Sequence, residues 1–383
     1  MRCGIMVLVS LALSACATPV PVPVEPASLL HDTAFQPRSV PADPGVLALS
    51  EPMRHYLRTE IAGQVRQLGK LRGLVAALQS DRQLKVEYDS TFTRTAAETF
   101  EARAGNCLSL TLMTAALARE LGLAVSFQRI VTNPFWTRSG NLLISGGHVN
   151  ILLEPSRAVD STVFGAVSGI IIDFEPGADI RSQRSREIGE QTVIAMYMNN
   201  RAAEAIIAGS LDEAYWWARG ALLHEPSFLE AFNTLGVVYS RHGDLAHAER
   251  VFRAVLAVEA ENVTGMRNLA GVLEQRGTPG EALALREKLQ RIEPYPPFHF
   301  FDLGVAALKR KDFAAARDGF LRELDRNAYY HEVHFGLAAA YFGLGEIRAS
   351  QKHLGTALKT STNRREQDLY AAKLEWLRSQ RTQ

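Results

Sequence analysis

The sequence predicts two structural units in series, a mixed α+β domain followed by an all-α solenoid of helical hairpins. Two observations in the chain of 383 residues predict this order. Between residues 95 and 175, a capped helix and a second helix precede short runs of strand character. From residue 195 onward, the sequence aligns on itself with a period of about 34 residues, which indicates stacked helical units.

The composition excludes several classes of protein. Apolar residues make up 47% and charged residues 22% of the chain, close to the averages of globular domains, so a disordered or collagen-like chain is excluded. The net charge of +1 gives no overall electrostatic footprint for nucleic acid. Cys3, Cys16 and Cys107 are too few for a disulfide framework, and their spacing does not provide a four-ligand zinc site. No phosphate loop, dinucleotide fingerprint or metal motif occurs, so we predict no cofactor and no metal.

Residues 1–15 have the pattern of an export signal. Arg2 precedes an apolar run that is too short to span a bilayer, which needs about 20 residues. The end of this run, Leu13-Ser14-Ala15-Cys16, resembles the lipobox of bacterial lipoproteins. The resemblance implies cleavage before Cys16, a lipid anchor on that residue and, because Ala17 follows, sorting to the outer membrane facing the periplasm. The alternative is an ordinary signal peptide in which Cys16 is incidental.

A proline-rich tether is predicted for residues 16–45, because alternating prolines favour an extended polyproline geometry. A cysteine-containing domain is predicted for residues 46–190. It starts with helical periodicity over residues 51–79, which Gly63 and Gly69 weaken.

Two further helices precede the predicted strands of this domain. Thr95 and Glu98 form a capping-box pattern that begins a short helix. The next helix covers residues 107–121, and Asn106 before it is interpreted as a cap or turn residue. Strand character is then predicted for residues 124–131, 142–153 and 169–174.

Three residues of this domain could carry chemistry. Cys107 lies in the first turn of a helix, where unpaired backbone N–H groups and the helix dipole favour a thiolate. His148 lies in a strand behind two glycines. Asp173 lies in an apolar strand among isoleucines, where an acid is costly unless it is paired.

The order of helix-capping cysteine, strand histidine and strand aspartate resembles the transglutaminase-like superfamily, a branch of the papain-like cysteine hydrolases. By this resemblance, which covers residues 95–175, Cys107 is the nucleophile, His148 the general base and Asp173 the group that orients the imidazole. It implies acyl transfer through a thioester. The family's usual aromatic residue next to the cysteine is replaced by Leu108. Asp160 is the alternative third member, and a small core residue is the alternative role for Cys107.

The repeats begin at equal intervals and carry small residues at the same offsets. The eighth position of the frame is always alanine or glycine, and the seventh is leucine in the second to fifth frames. The frames start at Ala195, Leu229, Val263, Pro297 and His331. This pattern resembles the tetratricopeptide repeat (TPR) over residues 195–364, which implies a groove for a polypeptide. Residues 365–383 are predicted to form a capping helix.

Two functions remain as hypotheses at this stage. The sequence favours a membrane-anchored, periplasm-facing cysteine peptidase or amide acyltransferase that acts through Cys107, His148 and Asp173 on a polypeptide recruited by the repeats. The alternative is a non-catalytic envelope scaffold, in which a degenerate transglutaminase-like domain and the repeat groove bind partner proteins.

Overall fold

The structure is a computed structural model that describes residues 25–80, 84, 86–130, 135–139, 142–155, 169–174, 184–326, 330–361 and 364–379. The predicted signal peptide, its Cys16 and the alternative site residue Asp160 lie outside the described residues. None of the described helices combines the length and the apolar composition that a bilayer crossing requires.

Residues 25–50 form an N-terminal segment, called the strap below, that lies against the first two helical hairpins of the C-terminal half. It contains two 3-10 helices, Pro26–Leu29 and Asp32–Ala34. Leu29 and Phe35 are buried in the same core as the hairpins. The described part of the predicted tether therefore packs on the body of the protein, because its apolar side chains outweigh the tendency of its prolines to stay extended.

The helical periodicity over residues 51–79 corresponds to three helices rather than one. Gly69 has a positive φ of 80°, a conformation that glycine adopts without strain, and it separates the second helix from the third. Gly73 allows these two helices to approach, since a Cβ atom there would lie 2.7 Å from Val65 Cα. The helices are α1 (Glu51–Thr59), α2 (Ala62–Leu68) and α3 (Lys70–Gln79).

A small antiparallel sheet and two further helices complete the N-terminal unit. The predicted capping box is confirmed, since the Thr95 and Glu98 side chains bond to each other's backbone N–H groups. The elements are β1 (Glu87–Tyr88), α4 (Ala96–Ala102), β2 (Ala104–Gly105), α5 (Cys107–Glu120), β3 (Ala124–Ile130), β4 (Phe135–Ser139), β5 (Leu142–Gly146), β6 (Val149–Glu154), β7 (Ile170–Ile172) and β8 (Ser185–Ile188). A four-stranded antiparallel sheet has the strand order β7-β6-β3-β8, and two separate strand pairs are β1-β2 and β4-β5.

The helix α5 is the centre of this unit. Residues 108–118 are all buried, because the helix is apolar or small on every side and packs against β3 and β6 as well as other helices. The sheet supplies alternate residues to the same core: Val149, Ile151 and Leu153 of β6 are fully buried.

The C-terminal half is a TPR-like helical solenoid. The first helices of three hairpins begin at Leu229, Val263 and His331, the residues at which the repeat frames start. A Cβ atom on Gly236 would lie 2.5 Å from the Phe252 ring, so a small residue at the eighth position is required by close packing. The helices are α6 (Glu190–Ile207), α7 (Leu211–His224), α8 (Leu229–His242), α9 (Leu245–Val258), α10 (Val263–Gln275), α11 (Pro279–Ile292), α12 (His299–Lys309), α13 (Phe313–Leu324), α14 (His331–Gly343), α15 (Ile347–Thr360) and the final helix α16 (Arg364–Ser379).

The helical stack is interrupted between the third and fourth hairpins. Within the described residues, α11 and α12 lack the extensive packing that joins neighbouring hairpins elsewhere. The leucine at the seventh position of the repeat reports this difference: Leu269 is 1% and Leu337 0% exposed, whereas Leu303 on α12 is 51% exposed. Leu283 on α11 is exposed as well. The solenoid therefore consists of two stacks, α6–α11 and α12–α16, joined by the segment at residues 293–298.

Candidate functional site around His148 and Asp173

The structure joins His148 to Asp173 at the ends of two neighbouring strands. His148 immediately precedes β6 and Asp173 immediately follows β7, so the prediction that both residues lie within strands is wrong by one residue at each position. In the register of β6 with β7, Ile151 is paired with Ile172, so Asn150 lies opposite Asp173 just beyond the pairing. His148 precedes Asn150 by two residues and approaches the same carboxylate. Its Nε2 atom lies 2.8 Å from Asp173 Oδ1 and 2.8 Å from Oδ2.

Asp173 is a buried carboxylate whose polar partners include His148 and Asn150. Its side chain is 1% exposed, against 10% for His148. Asn150, which is itself buried, donates a hydrogen bond from Nδ2 to Asp173 Oδ2 at 3.3 Å. Pairing and hydrogen bonding make a buried charge tolerable, which accounts for an acid beside the isoleucines of β7. Asn150 was not among the residues predicted from the sequence, although an amide two residues after His148 in an apolar strand is a detectable signal.

The contact with Asp173 assigns the roles of the two imidazole nitrogens of His148. Carboxylate oxygens only accept, so the Nε2–H group is the donor in this pair. In the neutral ring, Nδ1 is then the basic nitrogen. An arrangement of this kind fixes both the tautomer and the orientation of a general base.

Cys107 is the first residue of α5, as the sequence predicts, and its side chain is partly buried. The interpretation of Asn106 as a helix cap is confirmed, because its Oδ1 atom accepts from the Ser109 N–H group at 2.9 Å. The other end of the amide donates from Nδ2 to Thr93 Oγ1, also at 2.9 Å. These bonds fix the start of α5 and the backbone N–H groups around Cys107.

The connectivity brings Cys107 and His148 to the same end of the sheet. Residues 121–123 connect α5 directly to β3, so the helix and this strand run in opposite directions. The strand β3 is antiparallel to β6, and α5 packs against both. The helix α5 and the strand β6 therefore start at the same end, where Cys107 and His148 lie. In the described part of the chain, no hydrogen bond joins Cys107 Sγ to the His148 ring.

The loop before α4 links this region to the first helix of the solenoid. The Thr93 N–H group donates to Glu204 Oε1 on α6 at 2.7 Å. Burial raises the pKa of Glu204 above its ordinary value, although the hydrogen bonds from Thr93 and the charge of Arg201 oppose this effect. An open cavity of ≈ 350 Å³ adjoins the contact. It is lined by Phe92, Thr93, Arg94, Glu98, Glu101, Ala102 and Arg201.

No family model matches the chain, and no curated protein matches it. Solved structures similar to it include YrrB, a TPR protein with an unusual peptide-binding site, at 18% identity over 47% of this chain and 92% of that one, with a TM-score of 0.25. PilF of Pseudomonas aeruginosa is 19% identical over 51% of this chain and 88% of its own, with a TM-score of 0.29. The thermophilic TPR protein TTC0263 of Thermus thermophilus is 17% identical over 47% and 98%, with a TM-score of 0.29. At these TM-scores, the similarities add nothing to the TPR-like architecture that the hairpins themselves display.

Proposed function

We propose that this protein is an interaction protein whose TPR-like solenoid binds a polypeptide. The stacked hairpins α6–α15 carry this proposal, because stacks of helical hairpins present extended surfaces that suit peptides and helices. The interruption between α11 and α12 is the favoured position. In the second, third and fifth hairpins, the leucine equivalent to Leu303 is buried in the stack, so an amphipathic helix of the partner is the occupant that restores the missing packing.

A library of displayed helical peptides, selected on the full chain, tests this proposal. We expect amphipathic sequences to be enriched, and their affinity, measured by fluorescence anisotropy, to fall about tenfold to a hundredfold with Leu303→Lys, since burying one leucine contributes about 1.5–3 kcal/mol. Leu223→Lys on α7 is the matched control, because Leu223 is also exposed but lies away from the interruption. Absence of enriched sequences, or equal loss in both variants, contradicts the proposal. A concentration-dependent dimer would assign the surface to a second copy of the chain.

We propose as a second function that the N-terminal unit performs cysteine-dependent acyl transfer. The observation that favours it is the buried pair of His148 and Asp173 at the end of the sheet where α5 starts. In this mechanism, Cys107 transfers its thiol proton to His148 Nδ1, and the thiolate attacks an amide carbonyl carbon. Collapse of the tetrahedral intermediate breaks the C–N bond, and the imidazolium returns the proton to the leaving amine.

The resulting thioester is then attacked by water or by a second amine, which releases the Cys107 thiol and gives hydrolysis or transamidation respectively. Backbone N–H groups at the start of α5 are suited to stabilise the oxyanion. Asp173 takes no proton in these steps. Its negative charge stabilises the positive charge that forms on the His148 imidazolium. Peptide recruitment by the solenoid would supply the polypeptide substrate, and the contact of Thr93 with Glu204 supports such a coupling.

Alkylation of the purified protein by iodoacetamide at about pH 6–7 tests the second function, with the Cys107 peptide quantified by mass spectrometry. We expect Cys107 to react faster than a model thiol and to slow with His148→Ala and Asp173→Asn. His55→Ala, a substitution of an exposed histidine on α1, is the control and leaves the rate unchanged. A rate no greater than that of a model thiol contradicts the proposal.

We propose finally that the chain is attached to the bacterial envelope by a lipid on Cys16, facing the periplasm. The support is the lipobox-like sequence that ends at Cys16. Labelling of cells with an alkyne fatty acid tests it: label is expected on the wild type and not on Cys16→Ala. Label retained by that variant, or absent from both, contradicts the anchor.

A further inference from the structure

The strap places a histidine beside a second histidine and an aspartate of the second hairpin. His31 Nδ1 lies 3.2 Å from Asp244 Oδ2, and His247 Nδ1 lies 2.7 Å from the same oxygen. One ligand atom from each of the three residues lies within 4.8 Å of the others. The two imidazole rings are stacked, with centroids 4.3 Å apart. Donors from two distant parts of the chain thus converge on one point.

Backbone hydrogen bonds help to position Asp244 and His31. Asp244 is the N-cap of α9, where its Oδ1 atom accepts from the His247 N–H group at 3.2 Å, and this turns Oδ2 towards the imidazoles. The His31 N–H group donates to the Tyr215 hydroxyl at 2.9 Å. The same hydroxyl donates to Asp32 at 2.6 Å, which fixes the strap on α7. Orientation of ligands by such outer contacts is typical of metal sites.

We propose that His31, Asp244 and His247 bind a divalent transition-metal ion of the zinc class and thereby fasten the strap to the second hairpin. Two imidazole nitrogens and one carboxylate oxygen suit Zn²⁺, whereas Ca²⁺ and Mg²⁺ take oxygen ligands. Ligand atoms on one tetrahedral zinc ion lie about 3.3 Å apart, and the two nitrogen–oxygen distances here are 3.2 and 2.7 Å. A water molecule completes the four ligands.

The geometry of the cluster is consistent with this role. The ring planes now differ by 16°. Binding turns each ring so that its Nδ1 lone pair points at the ion, which replaces two contacts to Oδ2 by three bonds to metal. The sequence shows no spacing motif, because His31 and Asp244 are 213 residues apart.

Isothermal titration of the full chain with ZnCl₂, after treatment with a chelator, tests the proposal. We expect one Zn²⁺ ion per chain and no comparable binding of Ca²⁺. His31→Ala and His247→Ala each remove a ligand, and we expect each to weaken zinc binding about tenfold or more. Asp244→Asn retains a good N-cap residue but removes the charge of the ligand. Weaker zinc binding by this variant therefore reports the loss of a metal ligand and not the loss of helix capping. His55→Ala is again the control and is expected to leave zinc binding unchanged.

Hydrogen exchange of the strap amides provides a second readout. Zinc is expected to slow the exchange of the His31 and Gln36 amides in the wild type and not in His247→Ala, a substitution that lies off the strap. Circular dichroism without zinc identifies misfolded variants, which are replaced by His31→Gln and His247→Gln. Equal zinc affinity in the wild type and these variants overturns the proposal, as does zinc binding that leaves strap exchange unchanged.

Discussion

Replacing Phe35 by alanine is expected to release the strap from the helical hairpins. The Phe35 ring is 4% exposed and stacks on Tyr215 with centroids 4.1 Å apart. It also contacts the Tyr239 and His242 rings, with centroids 5.8 and 4.5 Å away. Truncation of a buried phenylalanine costs about 3–5 kcal/mol. Because all of these ring contacts join the strap to α7 and α8, most of this cost falls on the attachment of the strap.

The exchange of two amides measures this loss of attachment. The His31 and Gln36 N–H groups donate to Tyr215 and Asp212 on α7, each at 2.9 Å, so their exchange requires opening of the strap. Since about 1.4 kcal/mol corresponds to a factor of ten, Phe35→Ala should speed their exchange about a hundredfold to a thousandfold. Phe92→Ala is the control, because Phe92 is 54% exposed. Exchange within about fivefold of the wild-type rate in Phe35→Ala would refute the reasoning.

Two further predictions concern the second helical stack. Gly336→Ala is expected to destabilise it, because a Cβ atom would lie 2.5 Å from Phe320 Cζ. Gly355→Ala, where a Cβ atom would have no neighbour within 4 Å, should stabilise it by about 1 kcal/mol. Urea unfolding followed by circular dichroism should therefore give changes of opposite sign in the free energy of unfolding. Burial and the neighbouring His334 lower the pKa of His353 from 6.5 to about 4. Between these two pH values the unfolded state binds more protons than the folded state, so the stability present above pH 6.5 is lost as the pH falls towards 4. Thermal melts of His353→Gln should lose this pH dependence, and an unchanged slope contradicts it.

The repeats are the part of the fold that the sequence predicted in most detail. A helix begins at the first residue of the frames at Leu229, Val263 and His331, because each hairpin reuses the same spacing of apolar and small residues. The strap was not predicted, since its burial depends on partners about 180 residues away and its prolines dominate the local pattern. The interruption at Leu303 was not predicted either, because Leu303 matches the leucine that the repeat has at its seventh position.

In the candidate site, the apolar residues around Asp173 predicted that this acid has a polar partner, and the fold determines which residue it is. An acid at Asp173 among isoleucines required a partner, and that partner is His148 in the structure. Asn150 could not be paired with Asp173 beforehand, because their contact depends on the register of β6 with β7. The position of Cys107 at the start of α5 followed from local capping signals, since Asn106 and the apolar run behind it define the helix start.

The gap between α11 and α12 has a thermodynamic consequence for the whole chain. In a linear array of repeats, cooperativity arises from the interface energy between neighbours, and this energy is missing where Leu303 faces solvent. The two halves of the array should therefore melt as separate units, the C-terminal one containing α12 to α16. A ligand that fills the gap would couple them, so that two unfolding transitions merge into one, and calorimetry could detect its binding before its identity is known.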